Sequence, residues 1–162
     1  MGREGLSDKI TIVPVGGAEK VATFISLMRG NELNCVCLLD TLSEQKARDN
    51  LRKMVEQKLI ADKKVLFADS FTDFAYADIE DFFDPSDYLK LFNGAFGCDI
   101  RKEQIDSGKA IMGQLKRLNG NKAFNHYSPA RFMMEHIGEI FFSESTLSAF
   151  ECVFKEVNKL LK

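Results

Sequence analysis

Apolar positions follow two different rhythms along the chain. Up to about residue 83, short apolar runs alternate with amphipathic stretches. Residues 9–15 (Lys9-Ile10-Thr11-Ile12-Val13-Pro14-Val15) read as a strand that stops at Gly16-Gly17. A helix is predicted over 18–29, with Val21, Phe24, Ile25 and Met28 on one face. The run Cys35-Val36-Cys37-Leu38-Leu39 is almost continuously apolar, as expected of a parallel strand covered on both sides, and it ends at Asp40. Residues 43–57 form a charged helix with Leu51 and Met54 pointing inward, and Val65-Leu66-Phe67-Ala68 is a third strand. This β-α-β-α-β order predicts an α/β fold with right-handed crossovers and a parallel sheet. From residue 84 the spacing becomes helical. Asp84 caps and Pro85 opens a helix through Tyr88, Leu89, Leu91 and Phe92. Further helices are expected over 107–118, from Ser128 to about 141, and from Ser143 or Ser145 to near Leu161.

Composition narrows the classes. A chain of 162 residues with 45% apolar content supports one ordinary core. No run of about 18 apolar residues suggests a membrane span. The start, Met1-Gly2-Arg3-Glu4-Gly5, lacks the apolar stretch of a signal peptide, so a cytoplasmic location is expected. The net charge of -2 lacks the basic excess of a self-sufficient duplex binder. The sign is uneven, however. The first hundred residues are acidic, and basic residues such as Arg101, Lys102, Lys109, Lys116, Arg117, Lys122 and Arg131 follow. Cys35 and Cys37 share one strand face, Cys98 and Cys152 stand apart, and no pair has zinc-ligand spacing, so buried free thiols are expected.

Chemistry is sought where strands of an open parallel sheet end. Gly16 and Gly17 permit a tight turn that exposes amides to a phosphate, or simply a structural turn. Asp40 follows a buried strand, where a carboxylate either holds a hard divalent cation or caps the next helix. In Asp78-Ile79-Glu80-Asp81-Phe82-Phe83-Asp84, acids interleave with large apolar residues. Such a segment aims carboxylates at a cleft or forms a solvated acidic loop. Glu80 and Asp81 could complete a metal site with Asp40. His126, between Phe124 and Tyr127, reads as a packed histidine before a helix, since no partner is visible for it. The 14 phenylalanines sit mainly at helix spacing and are assigned to the core.

Four segments in order carry a resemblance. Val13-Pro14-Val15-Gly16-Gly17-Ala18-Glu19-Lys20 resembles the second-strand glycine motif of the TOPRIM domain in OLD-family ATP-dependent endonucleases. Leu38-Leu39-Asp40 is similar to the strand leading into that domain's DxD pair. Ala77-Asp78-Ile79-Glu80-Asp81-Phe82-Phe83, with Pro85 and Tyr88, is similar to the "IEDLF…P…Y" segment that follows. Phe124-Asn125-His126-Tyr127-Ser128-Pro129-Ala130 and the closing helix resemble the tail of that subgroup. The likeness covers nearly the whole chain. Two features depart from it. The first-strand Glu has no counterpart, Arg3-Glu4-Gly5-Leu6 resembling the loop before the second strand, and the third DxD position is Leu42.

The resemblance implies one TOPRIM-like domain over residues 1–162, incomplete at its N-terminus. It would have an α/β core to about residue 83 and a helical extension from 84. It implies metal-dependent DNA cleavage with Mg²⁺ or Mn²⁺ and an ATPase module outside this chain, no Walker loop being present. Asp40 would hold one cation with the absent Glu. Glu80, with Asp81 and Glu44, would hold or orient a second. Lys109 or Lys20 would offset charge on the phosphate. Little activity is expected without the first Glu. The open sheet edge left by a missing strand makes self-association an expectation. A non-catalytic interaction module of the same fold, favoured by Leu42, is the alternative. A flavodoxin-like domain fits the βαβ order but not the long helical tail or the lack of a phosphate loop.

Overall fold

A computed structural model of the chain describes residues 2–41, 45–120 and 124–162. It is an α/β structure with six helices and a two-stranded parallel sheet. The helices are α1 (Ala18–Gly30), α2 (Gln45–Glu56), α3 (Pro85–Phe96), α4 (Ile111–Leu118), α5 (Tyr127–Glu135) and α6 (Glu144–Leu161). Strands β1 (Cys37–Leu39) and β2 (Val65–Phe67) pair in register, Cys37 opposite Val65 and Leu39 opposite Phe67.

Alternation along these strands divides the core between two sheet faces. Cys37, Leu39, Val65 and Phe67 pack against Val21 and Ile25 of α1 and Leu51 and Met54 of α2. Leu38 faces the other way, into a cluster of Ala68, Ala77 and Phe82 with Val153 and Phe150 of α6. The C-terminal helix therefore covers the second face. A third cluster, built on Phe92 and Leu115, joins α3, α4 and α5. Gly94 lets α3 and α5 approach, for a Cβ there would stand 2.2 Å from the Phe132 ring.

Local signals explain most helix ends. The Asp84 side chain accepts from the Ser86 amide with Pro85 in the first turn, and α3 closes on Gly97 in the left-handed region. Ser143 caps α6 by accepting from the Thr146 amide. Two helices are shorter than expected. α4 begins at Ile111 because residues 106–109 form a turn in which the Gly108 amide donates to Asp106 Oδ1. α5 stops at Glu135, before Gly138 at φ 90°.

The expected first strand is not formed. Residues 9–15 make no ladder among the described residues. Ile12 is 75% exposed and Val13 47%, and only Val15 reaches the core. The alternation suits a strand, but no neighbour offers it a partner and Pro14 has no N–H to give. Upstream, residues 3–7 run along α6, where the Ser7 amide donates to Asn158 Oδ1 and Arg3 pairs with Glu151. The four cysteines are free. Cys35, Cys37 and Cys98 are half-buried and Cys152 is exposed, so burial of the thiols is only partial. Burial, with Cys35 beside it, pushes the Cys37 thiol up to about 11, which keeps it protonated and unreactive. Among the described residues no helix is long and apolar enough to cross a membrane.

Candidate functional site

Three hydrogen bonds gather the acids that lie far apart in sequence. Beyond β1, the Thr41 amide donates to the Ala77 carbonyl at 2.8 Å, and the Ala77 amide donates to Thr41 Oγ1 at 3.0 Å. The Ile79 amide donates to Asp40 Oδ1 at 3.1 Å. The carboxyl end of β1 is thereby tied to the start of a 3-10 turn, Ile79–Phe82, which Phe82 anchors in the core. Asp40, Asp78, Glu80 and Asp81 share this edge.

Their environments differ. Asp78 and Asp81 form a capping box, each side chain accepting from the other's backbone amide. The Ile111 amide donates to the remaining Asp81 oxygen, Oδ1, at 2.7 Å, which also fixes the start of α4. Asp81 thus spends both oxygens on backbone amides. Glu80 Oε1 meets His126 Nδ1 at 3.0 Å. The imidazole is stacked on Phe124, with ring centroids 5.4 Å apart. His126 thus precedes α5 and stacks on an aromatic neighbour as expected, but its side chain is 64% exposed and it has a partner, Glu80.

The carboxylates at this edge act on one another. Burial, with the neighbouring carboxylates of Asp40, Glu80 and Asp81, raises the Asp78 carboxyl to about 6, against a smaller opposing effect of His126. Burial also raises Asp81, despite its amide hydrogen bonds. Hard divalent cations suit such oxygen donors, and Mg²⁺ takes only one or two carboxylates while keeping water. Among the described residues, however, no group of three or more His, Cys, Asp or Glu side chains is placed to hold a metal ion.

The lysines stand elsewhere. Lys109 Nζ pairs with Asp106 at 2.6 Å. Lys20 Nζ lies 3.8 Å from the position a Cβ on Gly16 would take, over the turn that opens α1. Gly16 and Gly17 have φ of 75° and 142°, so the glycine pair is required by the turn itself. Glu44 and Lys122 lie outside the described residues. A cleft of about 400 Å³ opens beside Asp81, lined by Phe71, Phe74, Asp73, Ser107 and Gly108. A larger hollow of about 590 Å³ at Asp99, Arg101, Glu103 and Gln104 is framed by exposed side chains far from these acids in sequence.

Compared with protein-family models, curated proteins and solved structures, the chain matches none of them. What the edge does must be argued from its own geometry.

One of these features was legible in the sequence and one was not. Asp78 and Asp81 stand at capping-box spacing, which marks Asp81 as a cap. The exposed His126 carried no local signal, because its partner Glu80 is 46 residues away.

Proposed function

We propose that the chain is the TOPRIM-like part of an OLD-type, metal-dependent DNA endonuclease, with its cation held at the acidic edge by Asp40 and Glu80. The observation that carries this is the hydrogen bond from the Ile79 amide to Asp40. It brings the acid after β1 beside the Asp78–Asp81 segment, two stretches that resemble motifs of that family. A bound Mg²⁺ or Mn²⁺ supplies a water nucleophile and stabilises the leaving oxygen of a phosphodiester. The residues of the chain do the rest. Asp40 is aimed by the Ile79 amide. Glu80 is held by His126. Asp81 keeps the 3-10 turn and α4 in place. Lys109 reaches a phosphate only by leaving Asp106, an exposed pair that costs little to break. The cleft beside Asp81 gives room for a nucleotide-sized group. The ATPase module and the first-strand Glu belong to the proposal as parts outside this chain.

The test is nicking of supercoiled plasmid with Mn²⁺ or Mg²⁺ by the chain carrying an OLD-type first strand and its Glu fused ahead of Met1. Nicking that disappears in Asp40→Ala and Glu80→Ala supports the proposal. No nicking, together with no heat of metal binding, overturns it.

A second reading, a non-catalytic interaction module on the same fold, is favoured by Asp81. Both of its oxygens accept backbone amides, which ties Asp81 to the 3-10 turn and to the start of α4. Under this reading neither metal binding nor nicking is seen.

A further inference from the structure

Helix α5 carries large apolar side chains on both of its faces. Phe132 and Met133 pack inward on the cluster under α3, and Pro129 is buried. On the outer side Tyr127, Arg131 and Met134 follow at spacings of four and three residues, which is one face of a helix, and all three are exposed. The turn after α5 carries Ile137, and the segment leading to α6 carries Phe141. Ile137 is 85% exposed and Phe141 79%, more than any other large apolar side chain among the described residues. Ile140 and Phe142 pack inward on either side of Phe141, so its outward direction is set by the chain's alternation. Together Tyr127, Met134, Ile137 and Phe141 leave on the order of 500 Å² of mostly apolar surface uncovered, as much as the largest patch of an ordinary monomer.

Charge decides what covers this face. Arg131 and Glu135 lie on it four residues apart and pair with each other at 2.8 Å. When a second copy of α5 lies antiparallel across the first, with the twofold axis midway between these two residues, each Arg131 meets the Glu135 of the other copy and no charge is left over. Tyr127 of one copy then falls on the turn that carries Ile137 in the other. An unrelated apolar helix would have to bring a matching ion pair of its own, whereas a second copy has it by symmetry. The net charge of -2 is too small to hold two copies apart. Two such faces bury on the order of 1,000 Å² in total, the area at which a specific interface begins.

We propose that the outer face of α5, extended by Ile137 and Phe141, is an isologous interface between two copies of this chain. It is a different surface from the exposed residues 9–15, and it does not depend on the reading of the acidic edge as a cation site. The face begins next to His126, the partner of Glu80, so a dimer brings two acidic edges into one assembly.

The experiment is sedimentation equilibrium over a rising concentration series. The unaltered chain should approach twice its mass of 18.3 kDa. Arg131→Glu sets four carboxylates about the axis and Glu135→Arg sets four guanidinium groups there. Each should weaken dimerisation at least about hundredfold, with far-UV circular dichroism unchanged because both side chains are exposed. An equimolar mixture of the two variants should regain the doubled mass, since each supplies the charges that the other lacks. Ile12→Lys, in the exposed segment 9–15, should leave the dimer intact. A chain that stays monomeric throughout overturns the inference and leaves the face to another partner. A dimer that survives both charge reversals, or variants that stay monomeric when mixed, overturns it as well. Dissociation by Ile12→Lys would assign the association to the segment 9–15 instead. None of these outcomes bears on the cation site.

Discussion

Two carboxylates on the same stretch of chain meet opposite fates. Asp87, in the first turn of α3, is 2% exposed and surrounded by donors. Ser143 gives it an amide at 2.7 Å and a hydroxyl at 2.6 Å, Thr146 Oγ1 lies at 2.7 Å and Lys90 Nζ at 2.9 Å. Burial alone would raise its pKa. The bonds from Ser143, Lys90 and Thr146 outweigh burial and hold the carboxyl well below the usual carboxylate range. Asp78, nine residues earlier, is raised to about 6, first by burial and further by the carboxylates of Asp40, Glu80 and Asp81. The first arrangement is complete without any ligand, and it joins the N-termini of α3 and α6. The second leaves carboxylates beside one another at one edge, the place where we propose that a cation binds. A buried acid with its donors in place serves the fold, whereas acids left crowding one another mark the place where something binds.

Removing the satisfied acid should have the largest effect. Asp87→Ala leaves the Ser143 and Thr146 donors buried without an acceptor, and is expected to cost about 3 kcal/mol. For a chain of this size that is a fall of roughly 6–12 °C in Tm, read by circular dichroism. Asp81→Ala should come next, at about 1–2 kcal/mol, because it frees two amides that the cap satisfies. Glu80→Ala should leave Tm nearly unchanged. If Asp81→Ala were silent and Glu80→Ala destabilising, the division between structural and binding acids would be reversed.

Acidity should separate the two regions by sign. The depressed Asp87 contributes stability above the ordinary carboxylate pKa, and this is lost as pH falls through its lower folded value. Asp78 is raised from 3.8 to about 6, so its contribution is present below about 3.8 and lost as pH rises through 6. Denaturant unfolding should therefore show highest stability near pH 4, falling as pH rises towards 7 and again as pH drops towards 2. Asp78→Asn, which keeps an N-cap acceptor, should flatten the alkaline side only. The smallest effect belongs to His126→Ala. The pair joins an exposed imidazole to a half-buried Glu80 and contributes about 1 kcal/mol, so Tm should move little, and Mn²⁺ affinity should weaken a few-fold through the loosened carboxylate.

The sequence was most legible where signals are local. Asp84-Pro85 opens α3, Ser143 opens α6, Gly16-Gly17 turns into α1, and the apolar runs ending at Leu39 and Phe67 pair in parallel. It misled where structure depends on a distant partner. Residues 9–15 alternate like a strand yet find no strand to join among the described residues. His126 has its partner 46 positions away. Asp87 draws no attention in sequence, because its donors Ser143 and Thr146 arrive from another helix. The meeting of Asp40 with the Asp78–Asp81 segment follows from strand order and apolar anchoring, both visible in the pattern. The capping role of Asp81 was visible in its spacing but competed with the metal role that the family likeness implies.

The central claim is that the acidic edge holds a divalent cation. Calorimetric titration of the chain with Mn²⁺ at pH 7, beside Asp40→Ala and Glu80→Ala, tests it most directly. The account expects binding in the unaltered chain that is lost in both variants while their folds persist. Absence of binding in the unaltered chain, or binding that survives both substitutions, would contradict it.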